Sequence, residues 1–165
     1  MRHSLEPATI NDAALLARLH NVVADDLTDR FGPGPWSAQT SERGVLFGMR
    51  NSQIFVVRER AEIQASFRLT TRKPWAIDTS YFAESDRPLY LLSMAVAPSR
   101  QGQRLGSRCL EAAIRVAAAW PADAIRLDAF DAPAGAGEFY RKCGFQEVGR
   151  ATYRNVPLIY FELLL

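Results

Sequence analysis

The stretch Val96-Ala97-Pro98-Ser99-Arg100-Gln101-Gly102-Gln103-Arg104-Leu105-Gly106 carries the residues best suited to chemistry, where an apolar run gives way to a helical repeat. Gly102 opens backbone conformations closed to other residues, and Gly106 permits close approach by a ligand or a neighbouring strand. The first N–H groups of a helix lack intrahelical acceptors and sit at the positive end of its dipole, which favours a nearby anion by about 0.3–1 kcal/mol. With Arg100 and Arg104 flanking it, such a turn suits phosphate or pyrophosphate. A glycine-containing loop with solvated arginines is the alternative. No Gly-Lys-Ser/Thr follows these glycines and their spacing is not GxGxxG, so the P-loop and the dinucleotide fingerprint both fail. The two cysteines, Cys109 and Cys143, form no CxxC, and the only histidines, His3 and His20, lie far from them. A metal site and a thiol nucleophile are therefore not expected, and both cysteines read as small core residues.

The turn resembles the acetyl-CoA-binding motif of the GNAT superfamily of N-acetyltransferases, Q/R-x-x-G-x-G/A. Gln101 and Gly106 match its first and last positions, and Arg104 stands where the middle glycine is expected. Downstream, Glu138-Phe139-Tyr140-Arg141-Lys142-Cys143-Gly144-Phe145 is similar to the family's FYxKxGF segment, with Val148-Gly149 continuing into a strand. The Asn often found seven residues before this Tyr is Pro133 here, with Asp131 close by, and its role is not carried over. The motifs cover Leu89 to Gly149, and element order extends the resemblance to the rest, leaving the N-terminal region and Trp75 to Pro88 unassigned. The resemblance implies one GNAT-like acetyltransferase domain over residues 1–165, with acetyl-CoA as co-substrate and no metal. Met94, Ala95 and Val96 would then line the pantetheine arm through their main chain, in an opening between the central strand and its parallel neighbour. Arg100, Gln101, Gly102, Gln103, Arg104, Leu105 and Gly106 would hold the rest of the cofactor.

The reaction so implied is direct attack of a primary amine, on a small molecule or a peptide, at the thioester carbonyl. Tyr140, whose phenol has an ordinary pKa of about 10, can protonate the departing thiolate, and a packing role is its alternative. No carboxylate lies between Leu89 and Val96, so the base must be Glu84, Asp86 or Asp128, or a water such as Ser93 could hold. Phe31, Trp36, Trp75, Tyr81 and Phe82 fall in irregular segments and could wall an acceptor pocket, and Asp78, Glu84 and Asp86 beside them would suit a cationic amine. Two readings from other classes stay open: a catalytically silent acyl-CoA-binding sensor or interaction module, and a nucleotide-binding protein using the same turn.

The elements that must position these residues follow from composition and period. With 165 residues, 48% of them apolar, the chain has the length and core of one ordinary domain. Its 20 basic and 18 acidic residues leave a net charge of +2, which favours no broad nucleic-acid-binding face. No apolar run reaches the length of a membrane span and no secretory h-region opens the chain. The expectation is a soluble, reduced, cytoplasmic protein whose partner is an amine acceptor, with no nucleic acid and no membrane; a homodimer stays open.

Ser4 to Pro7 reads as an edge strand, followed by a helix capped by Asn11 or Asp12 and ending near Arg30. Prolines and glycines break the chain at Phe31 to Trp36, and a second helix runs from Ala38 to Met49. Ile54 to Arg58 and Ile63 to Leu69 form an antiparallel hairpin turning at Arg60-Ala61, with Gln64, Ser66, Arg68 and Thr70 on the polar side of a half-buried strand. Arg72 to Pro88 is a long excursion. Leu89 to Val96, nearly all apolar, is a central strand, and Leu105 to Trp120 is an amphipathic helix stopped by Pro121. Ile125 to Phe130 then completes a right-handed parallel crossover. A short helix through Phe139 and Tyr140 and strands near Phe145 to Tyr153 and Leu158 to Leu164 close an α/β, or α+β, mixed sheet. The family resemblance makes this about six to seven strands, mostly antiparallel with one parallel splayed pair, and about four helices.

Overall fold

The computed structural model describes residues 4–165; Met1 to His3, and with them one of the two histidines, lie outside the described residues. The elements in chain order are β1 (Leu5–Pro7), α1 (Ala13–Phe31), α2 (Glu42–Met49), β2 (Gln53–Glu59), β3 (Glu62–Thr70), β4 (Pro88–Val96), α3 (Leu105–Ala119), β5 (Ala124–Phe130), α4 (Gly137–Lys142), β6 (Gln146–Tyr153) and β7 (Val156–Leu164). The Asp12 carboxylate accepts the Thr9 N–H at 2.9 Å and receives Arg58 Nη2 at 2.9 Å, which fixes where α1 begins against the sheet. The second helix starts at Glu42 rather than Ala38, because the Ser41 hydroxyl caps it by accepting the Gly44 N–H at 3.0 Å.

Among the described residues seven strands form one sheet in the order β1-β2-β3-β4-β5-β7-β6. Only β4 and β5 run parallel, joined by the α3 crossover, and their register covers just Pro88↔Ala124, Leu89↔Ile125 and Tyr90↔Arg126. Beyond that point β4 stays with β3 as far as Ala65↔Val96, while β5 stays with β7 as far as Phe130↔Leu158. The expected mixed sheet with its splayed parallel pair and four α-helices is therefore present.

One face packs on α3 through Phe67, Leu69, Leu91 and Leu127, which meet Leu110 and other α3 residues in one cluster. The other is divided. α1 and α2 cover Val56, Ile63 and Ala95, whereas the 72–87 excursion covers Tyr90, Leu158 and Tyr160 with Ile77 and Phe82. Arg126 and Glu162, each about 5% exposed at the side chain, pair at 3.0 Å and clasp the excursion: Arg126 Nη2 donates to the Ala83 carbonyl at 2.6 Å, and Glu162 accepts the Ala83 N–H at 3.2 Å. The polar side of β3, expected to be half-exposed, is thus roofed by helices, and Ser66 and Thr70 are buried.

Candidate active site

Because β4 and β5 part after Tyr90, main-chain groups of Leu91 to Val96 on the β5 side have no strand partner. Ser93, at φ 52°, sits in a bulge: β3 offers only Phe67 between the pairs Arg68↔Leu92 and Ser66↔Ala95, where β4 has both Ser93 and Met94. The extra residue resets the alternation, so Met94 and Val96 turn to the α3 side and Ala95 to α1. A cleft of about 720 Å³ fills the opening. Met94, Ala95, Val96, Arg100, Gln101, Gly102, Arg104, Leu105, Gly106 and Tyr140 all line it; Gln103 does not. Its side chain instead donates to the Ser99 carbonyl at 3.0 Å. Val23, Leu27 and Arg30 of α1, Ala134 to Ala136 and Lys142 also line the cleft. No local pattern singles these out, since it is the tertiary fold that brings them there.

Arg30, Arg100, Arg104 and Lys142 face this cleft and no carboxylate does. Arg30 is paired with Asp26 and Arg100 with Glu59, whereas Arg104 and Lys142 form no ion pair among the described residues. Gln101 Nε2 donates to the Val96 carbonyl at 3.2 Å and so ties the turn to the strand end. Gly102 at φ 76° and Arg104 at φ 63° are both left-handed. The position where the family motif has its middle glycine is therefore one that requires positive φ, and an arginine there costs about 1–3 kcal/mol. Arg104 caps α3, the first helical bond running from the Arg108 N–H to its carbonyl at 3.1 Å, which leaves the N–H groups of Leu105, Gly106 and Ser107 without helical acceptors. A Cβ on Gly106 would lie 3.4 Å from the Phe139 ring and 3.6 Å from Val96 Cγ2, at the floor of the cleft.

Gly144, at φ 92°, ends α4, with its N–H on the Arg141 carbonyl at 3.1 Å and that of Phe145 on the Tyr140 carbonyl at 3.0 Å. This cap sends Phe145 into the core and fixes Tyr140, whose ring it meets edge-on at 5.8 Å. The Tyr140 hydroxyl reaches across the opening to 3.9 Å from Met94 Sδ. Burial pushes its pKa well above that of a free phenol, and the Asp128 carboxylate and Cys143 add to the rise, so the hydroxyl is protonated at neutral pH.

Of the carboxylates considered as bases, Glu84 and Asp86 are exposed, in the segment where Asp123 accepts the N–H groups of Asp86 and Arg87, at the closed end of the β4–β5 pair. Asp128 lies beyond the last β4–β5 pair and shares a sheet face with its cross-strand partner Tyr160. It is half-buried, makes no hydrogen bond or ion pair among the described residues, and burial raises its pKa. The aromatics divide. Trp36 donates to the Gly32 carbonyl at 2.9 Å and meets Phe130 edge-on, and Tyr81 and Phe82 pack on Tyr160, so these three anchor their loops. Phe31 is part-exposed at the end of α1, and Trp75, 88% exposed, borders a second cleft of about 640 Å³. The acidic surround expected there is absent: Arg68, Arg72 and Lys73 line that cleft without a carboxylate, and Asp78 accepts the Ser80 N–H and hydroxyl in its own turn.

Both cysteines are free, and burial lifts the Cys109 thiol to about 11, far from a thiolate at neutral pH. Among the described residues no group of three or more His, Cys, Asp or Glu could hold a metal, and no helix is long and apolar enough to cross a membrane.

Residues 18–145 match the model of the acetyltransferase (GNAT) family. No curated protein matches the chain in sequence. Among solved structures, a ribosomal-protein-alanine N-acetyltransferase from Brucella melitensis is 16% identical with a TM-score of 0.73, over 98% of this chain and 99% of that one. A GCN5-related N-acetyltransferase from Rhodopseudomonas palustris is 18% identical with a TM-score of 0.73, over 100% and 97%. An aminoglycoside 6'-N-acetyltransferase complexed with coenzyme A is 15% identical with a TM-score of 0.69, over 98% and 96%. These identities speak for a common fold, and the family model, matched over most of the length that builds the split sheet and its turn, places this chain in the GNAT family of acetyltransferases.

Proposed function

We propose that this chain, as one acetyltransferase domain over residues 1–165, transfers an acetyl group from acetyl-CoA to a primary amine of a small molecule or peptide by direct attack. The observation that carries the reading is the cleft in the split sheet, which joins an unpaired strand edge, a cationic turn of free N–H groups and a buried phenol. Its residues fit the co-substrate: the free edge of β4 suits an amide-bearing arm by strand-like pairing, and the N–H groups of Leu105 to Ser107 with Arg104 and Lys142 suit phosphates. Acetyl-CoA supplies the activated acetyl carbonyl and a thiolate leaving group.

Tyr140 donates its proton to the departing sulfur. In the protein alone that hydroxyl makes only a weak contact with Met94 Sδ, at 3.9 Å, which a thiolate acceptor would replace. As the new amide forms, the nitrogen must lose a proton, and Asp128 takes it, being a half-buried carboxylate at the edge of the opening with no other partner among the described residues. Calorimetric titration with acetyl-CoA, followed by assay of thiol release across a library of amines, tests the proposal. Tight binding and amine-dependent release support it; binding without release for any amine points to an acyl-CoA sensor, and no binding overturns the reading.

A further inference from the structure

Two buried side-chain polar atoms among the described residues have no hydrogen-bond partner, Ser66 Oγ and Arg68 Nε. Such atoms are rare because each carries an uncompensated desolvation cost. Both residues line the same cavity of about 90 Å³, together with His20, Thr40 and Ser93, under the roof made by α1 and α2. The Arg68 guanidinium packs over the α2 backbone, where a Cβ on Gly48 would collide with Nη1, and it forms no ion pair among the described residues. No carboxylate lines this cavity or the 640 Å³ cleft into which Arg68 also opens, where Arg72 and Lys73 add further positive charge. Burial and the Arg68 charge keep the neighbouring His20 imidazole below its usual pKa, so it adds no competing cation at neutral pH.

The position of this unpaired cation relative to the site gives it a use. Arg68 lies opposite Leu92 in the β3–β4 register, and the parallel ladder carried on from Tyr90↔Arg126 sets Asp128 level with Leu92 across the opening. Arg68, Leu92 and Asp128 therefore form one row on the face not covered by α3, spanning about 10 Å or somewhat more between the outer backbones, at two interstrand spacings plus the splay. We propose that Arg68, with the Ser66 hydroxyl, binds the carboxylate of the acceptor, so that the amine acetylated is that of a free amino acid. The proposal rests on the acetyl-transfer reading above and narrows it. A carboxylate accepts two parallel N–H bonds from a guanidinium, supplies the acceptor that Arg68 Nε lacks, and leaves the amine of the same small molecule directed along the row toward Asp128 and the opening beside Ser93.

The test measures thiol release from acetyl-CoA with the common α-amino acids as free acids and as α-amides, using the full chain. The best free acid is expected to exceed its amide in kcat/KM by about 10–100-fold, as loss of a charge-assisted pair predicts. Arg68→Gln should remove that advantage, chiefly through KM, while the dissociation constant for acetyl-CoA stays as it was; Arg68→Lys should restore part of it. Equal rates for acid and amide in the unaltered protein overturn the inference without any variant having to fold. So does acetylation confined to amines without a carboxylate, or acetyl-CoA binding with no free amino acid turned over. Failure to bind acetyl-CoA would instead remove the underlying reading of the site.

Discussion

Replacing Asp128 by Asn should make the protein more stable and nearly inactive at once. The side chain is half-buried and unpaired among the described residues, and burial holds its pKa above the ordinary carboxylate value. A carboxyl group whose pKa is raised by folding is destabilised in its ionised form. That cost is absent below the unfolded-state pKa, grows as pH rises, and is complete above the folded-state pKa. Asn is close in shape and carries no charge, so at neutral pH the variant should gain about 0.5–2 kcal/mol, the usual size of a single stabilising substitution. For a chain of this length that corresponds to a rise in Tm of about 1–8 °C, at about 2–4 °C per kcal/mol. The gain should shrink to nothing as the pH is lowered through the raised pKa toward the usual range for Asp. Loss of a positioned base should meanwhile lower kcat/KM by about 10²–10⁴-fold and flatten the acidic limb of its pH profile, which in the parent rises as Asp128 ionises. Scanning calorimetry at several pH values, with initial rates of thiol release over the same range, measures both effects. A variant that melts lower at neutral pH, or that keeps the parent's rate and pH profile, would refute the assignment.

Tyr140→Phe keeps the packing against Phe139, Phe145 and Phe161 and removes only the hydroxyl; kcat should fall by about 10²–10⁴-fold with the acetyl-CoA dissociation constant unchanged, as kinetics paired with calorimetry would report. Gly106→Val puts two methyl groups beyond a Cβ already in contact with Phe139 and Val96, so the thermal stabilisation by acetyl-CoA, about 2.7 kcal/mol at 100 times the parent's dissociation constant, should largely disappear. Arg126→Met strands Glu162 in the core without its guanidinium, and denaturant unfolding should show a loss of about 3–5 kcal/mol.

What the sequence disclosed and what it withheld follow one physical division. Gly102 could be read because a positive φ is a local demand that a single residue type answers, and it stands at a turn fixed by neighbours a few positions away. The β4–α3–β5 crossover was legible for the same reason: an apolar run, a helical repeat and a second run follow one another directly. Arg68 was not. Alternation along β3 identifies which residues share a face but not what covers that face, and the covering α1 and α2 lie 19 or more residues upstream of Arg68 in the chain. Asp128 looked like any strand carboxylate until the register showed β4 leaving it unflanked. Arg104 lies between the two cases. Its departure from the motif was visible, but only its left-handed conformation explains why glycine is the family's residue there. A cationic side chain held in that conformation, facing a cleft without carboxylates, carries a conformational cost that a bound anion would offset through electrostatic attraction. On the proposed reading the substitution adds side-chain charge to the main-chain N–H groups of a turn that would hold phosphate.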